Sequence, residues 1–211
     1  MILTIIIPMY NESRTIIKLL NQIEEQKFVK KQIIIVDDGS SDNSLFLVKN
    51  FKFQSEKIII SNGNNFGKGA SIKAAKKYIS GDIIIIQDAD LEYNPKDYKN
   101  LLKPIINNTA EIVYGSRVLN KKRYEKNFIS NFRIFANHIL TIFSNIINNQ
   151  KLTDAHTCYK VFESKIFKKI NLKEKGFAFC PEVTTKLSKN NYKIVEYPIS
   201  YNGRTYSNGK K

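Results

Sequence analysis

Two acidic side chains separated by one residue, Asp88 and Asp90, are well suited to bind a divalent cation. They follow the apolar run Ile83–Ile86, which places them at the end of a buried strand. Oxygen ligands suit Mg²⁺ or Mn²⁺, and either ion can bridge phosphate oxygens. A cation held there would neutralise the charge that grows on a departing nucleoside diphosphate. The alternative is a pair of solvated acids in a turn.

Polar clusters also follow the first two predicted strands. Segment 8–12 (Pro-Met-Tyr-Asn-Glu) follows the first, and segment 37–40 (Asp-Asp-Gly-Ser) follows the second. A carboxylate in the second cluster can accept hydrogen bonds from a base or a ribose hydroxyl, although a helix-entry loop with capping acids is an equal alternative. Ligands in open α/β sheets bind beyond the carboxyl ends of the strands. We therefore expect three acid-bearing loops to converge on one site.

The glycine-rich segment 62–70 leads into a predicted helix. Free backbone N–H groups at such a position could cradle a phosphate. The segment matches neither the dinucleotide-binding fingerprint nor the P-loop, which disfavours a dehydrogenase. A structural loop that lets the helix pack closely is an equally good interpretation.

The elements that must position these loops alternate along the first half of the chain. Short β-branched apolar runs occur at 3–7, 32–36, 57–60, 82–86 and 111–114. Helical patterns lie between them, at 12–26, 44–51, 68–78 and 95–106. This alternation predicts an α/β fold with a mostly parallel, doubly wound sheet flanked by helices. The second half predicts a helix at 131–147, a strand or turn from residue 152, helices at 163–170 and 181–189, a strand at 193–198 and a flexible tail at 201–211.

The composition limits the classes of partner and the cellular compartment that we expect. The chain has 211 residues and a formal net charge of +15, which favours phosphorylated substrates or an anionic membrane surface. The basic residues are scattered and no nucleic-acid motif occurs, so we expect no nucleic-acid partner; AT-rich coding bias is an alternative source of the lysines. Only Cys158 and Cys180 are present, and no apolar run approaches the roughly 20 residues of a membrane span. We expect a cytoplasmic protein, with a peripheral position at the inner face of the membrane as one possibility.

Taken together, these motifs resemble the family 2 glycosyltransferases of the GT-A fold, especially the dolichyl- or polyprenyl-phosphate sugar synthases. The resemblance covers essentially the whole chain. Its N-terminal motifs are 7–12, 36–40, 87–92 and 115–117 (Gly-Ser-Arg). Its C-terminal motifs are 152–154, 157–162 (Thr-Cys-Tyr-Lys-Val-Phe), 181–183 and 196–201 with Arg204.

The resemblance implies a single catalytic GT-A domain over residues 1–211. Residues 1–115 would form the nucleotide-sugar-binding half, and residues 116–211 the acceptor-binding half with a C-terminal flap. The implied reaction is the inverting transfer of a hexose from a GDP- or UDP-sugar to a polyprenyl phosphate, with Mg²⁺ or Mn²⁺ as cofactor.

The resemblance also assigns roles to particular residues. Those expected to hold the nucleoside are Pro8, Tyr10, Glu12 and Asp38. Those expected to hold the metal and the diphosphate are Asp88 and Asp90, with Glu92 as a further metal ligand. Those expected to meet phosphates of the donor or acceptor are Arg117, Arg133, Arg204 and Lys210. His156 departs from the family pattern, which often has an acid at that position.

The acceptor decides whether a general base is needed. A lipid phosphate is already ionised at neutral pH and requires only cations to hold the two anionic partners together, a role that suits Arg117 and Arg133. A sugar hydroxyl would require a carboxylate base, for which Glu182 and Asp154 are the candidates. Glu182 begins a predicted helix, whose dipole weakens it as a base, so a structural role there is the alternative.

Two further alternatives remain open at this point. The helix at 131–147 has apolar residues at helical spacing, which suits a membrane interface beside Arg133 but equally a packed helix or a dimer contact. The chain could also be a catalytically degenerate nucleotide-binding relative, although the intact pair of Asp88 and Asp90 argues against this.

Overall fold

A computed structural model describes residues 1–119 and 128–204, without the side chains of residues 128–135. The strands are β1 (Ile2–Met9), β2 (Lys30–Asp37), β3 (Glu56–Ser61), β4 (Ile83–Ile86), β5 (Ile112–Ser116), β6 (Lys160–Glu163) and β7 (Val195–Pro198). The helices are α1 (Ile16–Glu24), α2 (Ser44–Asn50), α3 (Lys68–Ala75), α4 (Tyr98–Ile106), α5 (Phe128–Asn148), α6 (Ser164–Lys169) and α7 (Phe179–Lys189), with 3-10 turns at Lys76–Tyr78 and Pro95–Asp97.

Within the described residues, the strands form one seven-stranded sheet in the order β3-β2-β1-β4-β6-β5-β7. Strand β6 runs antiparallel to both of its neighbours, while the other pairings are parallel. The predicted α/β fold with a mostly parallel sheet flanked by helices is therefore confirmed. Strand β6 occupies the region predicted as a strand or turn, but its antiparallel insertion between β4 and β5 was not predicted.

The centre of the sheet is apolar on both faces. All four residues of Ile83–Ile86 are buried, as are residues 3–7 of β1 and 31–37 of β2. Strands covered on both faces lose the alternation of apolar and polar residues, which explains the continuous isoleucine runs. This rigid centre fixes the loops that leave the carboxyl ends of β1, β2 and β4.

Helix α5 corresponds to the helix predicted at 131–147. Among its described side chains, polar ones face the protein and apolar ones face the solvent, which is the reverse of the usual arrangement. The polar residues Thr141, Ser144 and Asn148 face the protein and are buried. The exposed apolar side chains form a surface that we call the α5 apolar face: Ile139, Leu140, Ile142, Phe143, Ile146 and Ile147. Packing of this face on the sheet is thereby excluded. Within the part of the chain that the structure describes, no helix is both long and apolar enough to span a membrane.

The glycine-rich segment 62–70 packs closely against the loop before α7. A Cβ atom added to Gly69 would lie 2.5 Å from the Glu174 carbonyl oxygen, and one added to Gly67 would lie 2.7 Å from that of Lys175. The backbone N–H of Ala70 donates to the Lys175 oxygen at 2.9 Å. These contacts favour the interpretation of the segment as a close-packing loop.

Replacing Gly69 by Ala should therefore destabilise the fold by about 1–3 kcal/mol, because the added methyl group meets backbone that cannot move aside. The higher helix propensity of Ala, worth about 1 kcal/mol, offsets part of this loss. Urea unfolding would measure it. Gly176→Ala is the matched control, since its added Cβ meets nothing within 4 Å. Equal unfolding midpoints for the two variants would show that the contact does not constrain the fold.

Candidate functional site

A cavity of about 520 Å³ opens at the carboxyl ends of β1, β2 and β4. The residues of the three acid-bearing loops that line it are Pro8, Met9, Tyr10, Glu12, Asp38, Asp88, Ala89, Asp90 and Glu92. The loops therefore meet as the sequence predicted. The roles of their side chains stay predictions.

Asp88 and Asp90 each contact a cationic side chain in this cavity. Asp88 Oδ1 lies 2.5 Å from Lys68 Nζ, and Asp90 Oδ2 lies 3.3 Å from Arg204 Nη2. Burial, together with the charges of Asp88 and Glu92, raises the pKa of Asp90 to about 7. The site therefore crowds carboxylates in a poorly solvated space, where an added cation would relieve their repulsion.

These two aspartates fit a cation of the Mg²⁺ or Mn²⁺ type, which binds through one or two protein carboxylates and takes phosphate or water oxygens for the rest. Among the described residues, no group of three or more acidic, histidine or cysteine side chains is arranged to hold a metal. The Glu92 carboxylate accepts hydrogen bonds from the Tyr201 hydroxyl and the Arg204 backbone, both at 2.7 Å. The geometry thus gives no support to Glu92 as a third metal ligand.

Asp38 fixes the glycine-rich loop beside the cavity. Its carboxylate accepts hydrogen bonds from the Asn62 side chain at 2.8 Å and from the backbone N–H groups of Phe66 and Gly67 at 3.1 and 2.6 Å. Because this carboxylate already takes up loop N–H groups, they are not free to cradle a phosphate. Asp38 still lines the cavity, so its predicted contact with a nucleoside is compatible with this structural role.

The segment that follows β7 crosses the acidic side of the cavity and brings in Arg204. Its guanidinium forms a forked pair with Glu12, with both N–O distances at 3.0 Å. The Ser200 backbone donates to Asp97 at 2.7 Å and helps to anchor the segment. Arg204 thus lies among the acids, where a phosphate bound with a cation would reach it. Lys210 and the side chain of Arg133 lie outside the described residues.

Arg117, at the end of β5, is held by Asp154. The guanidinium makes two parallel contacts with this carboxylate, at 2.6 Å from Nε and 2.7 Å from Nη2, and lies 5.2 Å from the Tyr201 ring centroid. Burial acts to raise the pKa of Asp154, but the hydrogen bonds and charge of Arg117 lower it overall. Asp154 is therefore a positioning group for Arg117 and is poorly suited to accept a proton.

Glu182 does not reach the cavity. Its carboxylate accepts backbone hydrogen bonds from Lys173 at 2.6 Å and Glu174 at 3.0 Å and pairs with Lys186 at 2.5 Å. Burial acts to raise the pKa of Glu182, but these partners lower it overall. The geometry gives no support to a part for Glu182 in catalysis and favours the alternative, an acid that stabilises the start of α7.

Several lining residues escaped the sequence interpretation, namely Lys68, Tyr93, His156, Cys158, Phe177 and Cys180. Burial and the nearby charge of Lys160 lower the pKa of the half-buried His156. The position of Lys160 was also unforeseen, because it is fully buried, with Nζ 2.9 Å from the Ala155 oxygen and 3.8 Å from the Tyr114 ring centroid. The sequence signals near these residues were the 157–162 motif, the glycine-rich segment 62–70 that contains Lys68, and the departure of His156 from the family pattern.

The profile of the family "Glycosyl transferase family 2" matches residues 4–171. The chain belongs to this family. It is 30% identical to the UDP-N-acetylglucosamine–dolichyl-phosphate N-acetylglucosaminyltransferase of Methanococcus voltae, over 92% of this chain and 83% of that protein. It is 28% identical to the dolichyl-phosphate beta-glucosyltransferase ALG5A of Trichomonas vaginalis, over 95% of this chain but only 65% of that protein.

Solved structures match this family 2 glycosyltransferase in fold. Glucosyl-3-phosphoglycerate synthase from Mycobacterium tuberculosis, crystallised with Mn²⁺, UDP-glucose and glycerol 3-phosphate, superposes with a TM-score of 0.68. The match covers 97% of this chain and 73% of that one at 14% identity. It confirms the GT-A fold.

The raised pKa of Asp90 predicts how stability depends on pH. Between its ordinary value of 3.8 and about 7, the folded protein binds more protons at Asp90 than the unfolded chain does. Stability conferred through this group therefore falls as the pH rises through that window. Asp90→Asn removes the penalty and should raise the melting temperature near pH 8 by several degrees, since about 1 kcal/mol corresponds to about 2–4 °C at this size.

Thermal unfolding of wild type and Asp90→Asn in EDTA, at about pH 4 and about pH 8, measures this effect. The exposed Glu25→Gln is the charge-matched control and should leave the pH dependence of wild type unchanged. A constant difference between wild type and Asp90→Asn at both pH values would contradict the raised pKa.

Proposed function

We propose that this family 2 glycosyltransferase moves a hexose from a UDP- or GDP-sugar to a polyprenyl phosphate, with inversion at the anomeric carbon. The observation that carries the proposal is one cavity that combines the Asp88 and Asp90 pair with Arg117 and Arg204. The relatives from Methanococcus voltae and Trichomonas vaginalis are named as dolichyl-phosphate glycosyltransferases, which supports the acceptor class.

In this proposal the two halves of the chain divide the substrates. Residues 1–115 hold the donor, with Pro8, Tyr10, Glu12 and Asp38 around the nucleoside and the two aspartates at its diphosphate. Residues 116–211 hold the acceptor, with Arg117 aimed at its phosphate. Bound Mg²⁺ or Mn²⁺ would supply charge neutralisation at the leaving diphosphate. The Mn²⁺ and Mg²⁺ complexes of the structural neighbour support the choice of ion.

The chemistry needs little more than position and charge. An acceptor phosphate oxygen, already ionised, forms a bond to the anomeric carbon as the bond from that carbon to the nucleoside diphosphate breaks, and no proton has to be removed. Arg117 offsets the acceptor charge, and Asp154 orients Arg117. Neither proposed carboxylate base is available, since Asp154 is paired and Glu182 lies outside the cavity. This favours a phosphate acceptor over a sugar hydroxyl.

We further propose that the α5 apolar face rests on an anionic lipid surface at the inner side of the membrane. Ile146 and Ile147 are each about three-quarters exposed, at 73% and 74%, which is unusual for clustered isoleucines. The net charge of +15 complements anionic lipid headgroups. A polyprenyl acceptor is itself embedded in such a surface, so one contact would serve both binding and reaction.

An acceptor comparison tests the reaction. Transfer of radiolabelled sugar should occur to polyprenyl phosphate and not to the matching polyprenol, because the proposed attack needs an ionised oxygen. Asp90→Ala should lower the rate by about 10²–10³-fold, the usual effect of losing one electrostatic stabiliser. Glu182→Gln, outside the cavity, should transfer at nearly the wild-type rate. A thermal-shift panel of UDP- and GDP-sugars with Mn²⁺ would identify the donor.

Other outcomes would decide against the proposal. Transfer to polyprenol or to a glycan hydroxyl, lost in His156→Gln, would favour a hydroxyl acceptor with His156 as the base. Nucleotide binding without any transfer would indicate a degenerate relative. Full activity of Asp90→Ala would remove the role of the two aspartates.

Vesicle co-sedimentation tests the membrane contact. Phe143→Glu combined with Ile146→Glu should weaken binding to phosphatidylcholine–phosphatidylglycerol vesicles by about tenfold or more, since each lost apolar side chain is worth about 1.5–3 kcal/mol. Phe46→Glu, at an exposed phenylalanine of α2, is the matched control and should bind like wild type. If the double variant instead splits a dimer in analytical ultracentrifugation, the face joins two copies of the chain.

A further inference from the structure

Lys68 is a cation that the proposed reaction has not yet used. It is the first residue of α3, its side chain enters the cavity, and its Nζ lies 2.5 Å from Asp88 Oδ1. The side chain is only 13% exposed. A solvated surface lysine would not be held at this depth, so its position calls for an explanation.

The backbone on either side of Lys68 has little freedom to move. Gly67 and Gly69 flank it, and both are pressed against the backbone of residues 174–176. The Ala70 N–H bond to the Lys175 oxygen closes the same contact. The backbone of Lys68 is therefore held at a rigid helix start, and its flexible four-carbon side chain is the part that can exchange Asp88 for another anionic partner. Arg204, the cation beside Asp90, differs because it is carried on the segment after β7.

The side chain of Lys68 is protonated in this position. Burial acts to lower the pKa of Lys68, but the adjacent Asp88 raises it well above its ordinary value. The neighbouring Cys158 contributes no countercharge, because burial first and Asp88 next raise the pKa of its thiol well above the ordinary value. The ammonium therefore balances Asp88 with a full positive charge.

We propose that Lys68 couples the binding of the divalent cation to that of the nucleoside diphosphate, an inference that rests on the proposed function. A cation on Asp88 would displace the Lys68 ammonium from its 2.5 Å contact and leave that charge without its partner in a poorly solvated space, so the cation alone binds weakly. A bound diphosphate offers the displaced ammonium a new anionic partner and leaves Asp88 to the cation. Each ligand thus raises the affinity for the other, and by linkage the two effects are equal.

Manganese binding to the full-length protein tests this coupling without any turnover. Electron paramagnetic resonance of free Mn²⁺ gives the Kd for Mn²⁺ in the absence and presence of saturating UDP, with GDP tested in parallel. In wild type we expect the nucleotide to tighten Mn²⁺ binding by about tenfold or more, within the usual range of coupling. In Lys68→Met we expect tighter Mn²⁺ binding without nucleotide, and a coupling factor several-fold smaller than in wild type, because only the direct attraction between Mn²⁺ and the diphosphate is left.

Two further variants serve as a second charge-removing substitution and as a matched control. Lys68→Gln removes the charge but keeps a hydrogen-bond donor for Asp88, so it serves if Lys68→Met does not fold, as judged by circular dichroism. Lys73→Met removes an exposed lysine from the same helix and should retain the wild-type coupling. It controls for the general loss of one positive charge.

The possible outcomes distinguish a failure of the Lys68 inference from a failure of the proposed function. If wild type binds Mn²⁺ and nucleotide with coupling and the Lys68 variants match it, the inference is overturned and the proposed function stands. If the Lys68 variants change the Mn²⁺ affinity by the same factor with and without nucleotide, in either direction, Lys68 does not couple the two ligands, which also overturns the inference. If wild type binds neither UDP nor GDP with Mn²⁺, both proposals fail.

Discussion

The repulsion among the carboxylates of one cavity is the constraint on which the rest of the structure depends. Glu12, Asp88, Asp90 and Glu92 all line the same poorly solvated space. Like charges in such a space are tolerable only beside compensating cations or hydrogen-bond donors. The fold supplies them from distant parts of the chain, because Lys68 comes from α3 and the segment with Arg204 follows β7. The acids that follow β1 and β4 are therefore balanced partly by Lys68 of α3 and partly by Arg204, which follows β7.

The elements that supply these charges differ in how firmly they are held. Asp88 and Asp90 follow a strand whose four residues are fully covered, and the backbone of Lys68 is clamped by its flanking glycines. The segment after β7 combines both kinds of contact. Ile199 is buried in the core and the Tyr201 ring packs on that of Tyr93 at 5.2 Å, while the Ser200 backbone and the Tyr201 hydroxyl donate hydrogen bonds to Asp97 and Glu92. Arg204 lies beyond this packing and reaches the acids by polar contacts alone among those described.

The sequence predicted the half of the fold in which strand, loop and helix follow one another locally. Continuous isoleucine runs identified the central strands, and the acids after them identified the site, because parallel strands must bring their ends to one edge. For β6 the sequence indicated only a strand or turn, because the strand has four residues and begins with Lys160, whose burial no apolar pattern can indicate. The pairing of Arg117 with Asp154 joins residues far apart in sequence, so it depends on the completed fold.

The sequence also could not predict whether a given side chain faces the protein or the solvent. Helical spacing identified an apolar stripe on α5, but spacing alone cannot tell whether the stripe faces the protein or the solvent. What decides is the opposite stripe, where Thr141, Ser144 and Asn148 find buried partners. Glu182 is a second example. Its position at a helix start argued against a strong base, but the sequence could not show that its carboxylate accepts hydrogen bonds from the loop at 173–174.

The α5 apolar face and Arg117 are joined by a short series of hydrogen bonds. The Asn145 side chain of α5 holds Leu152, donating to its oxygen at 2.7 Å and accepting from its N–H at 2.9 Å. Glu196 then accepts from the N–H groups of Thr153 and Asp154 at 2.6 and 2.9 Å, and Asp154 in turn holds the guanidinium of Arg117. The helix that we propose to rest on lipid is thus fixed relative to the arginine that we propose to contact the acceptor phosphate. Such a connection is what a lipid phosphate would require, because its headgroup and its chain must be bound at the same time.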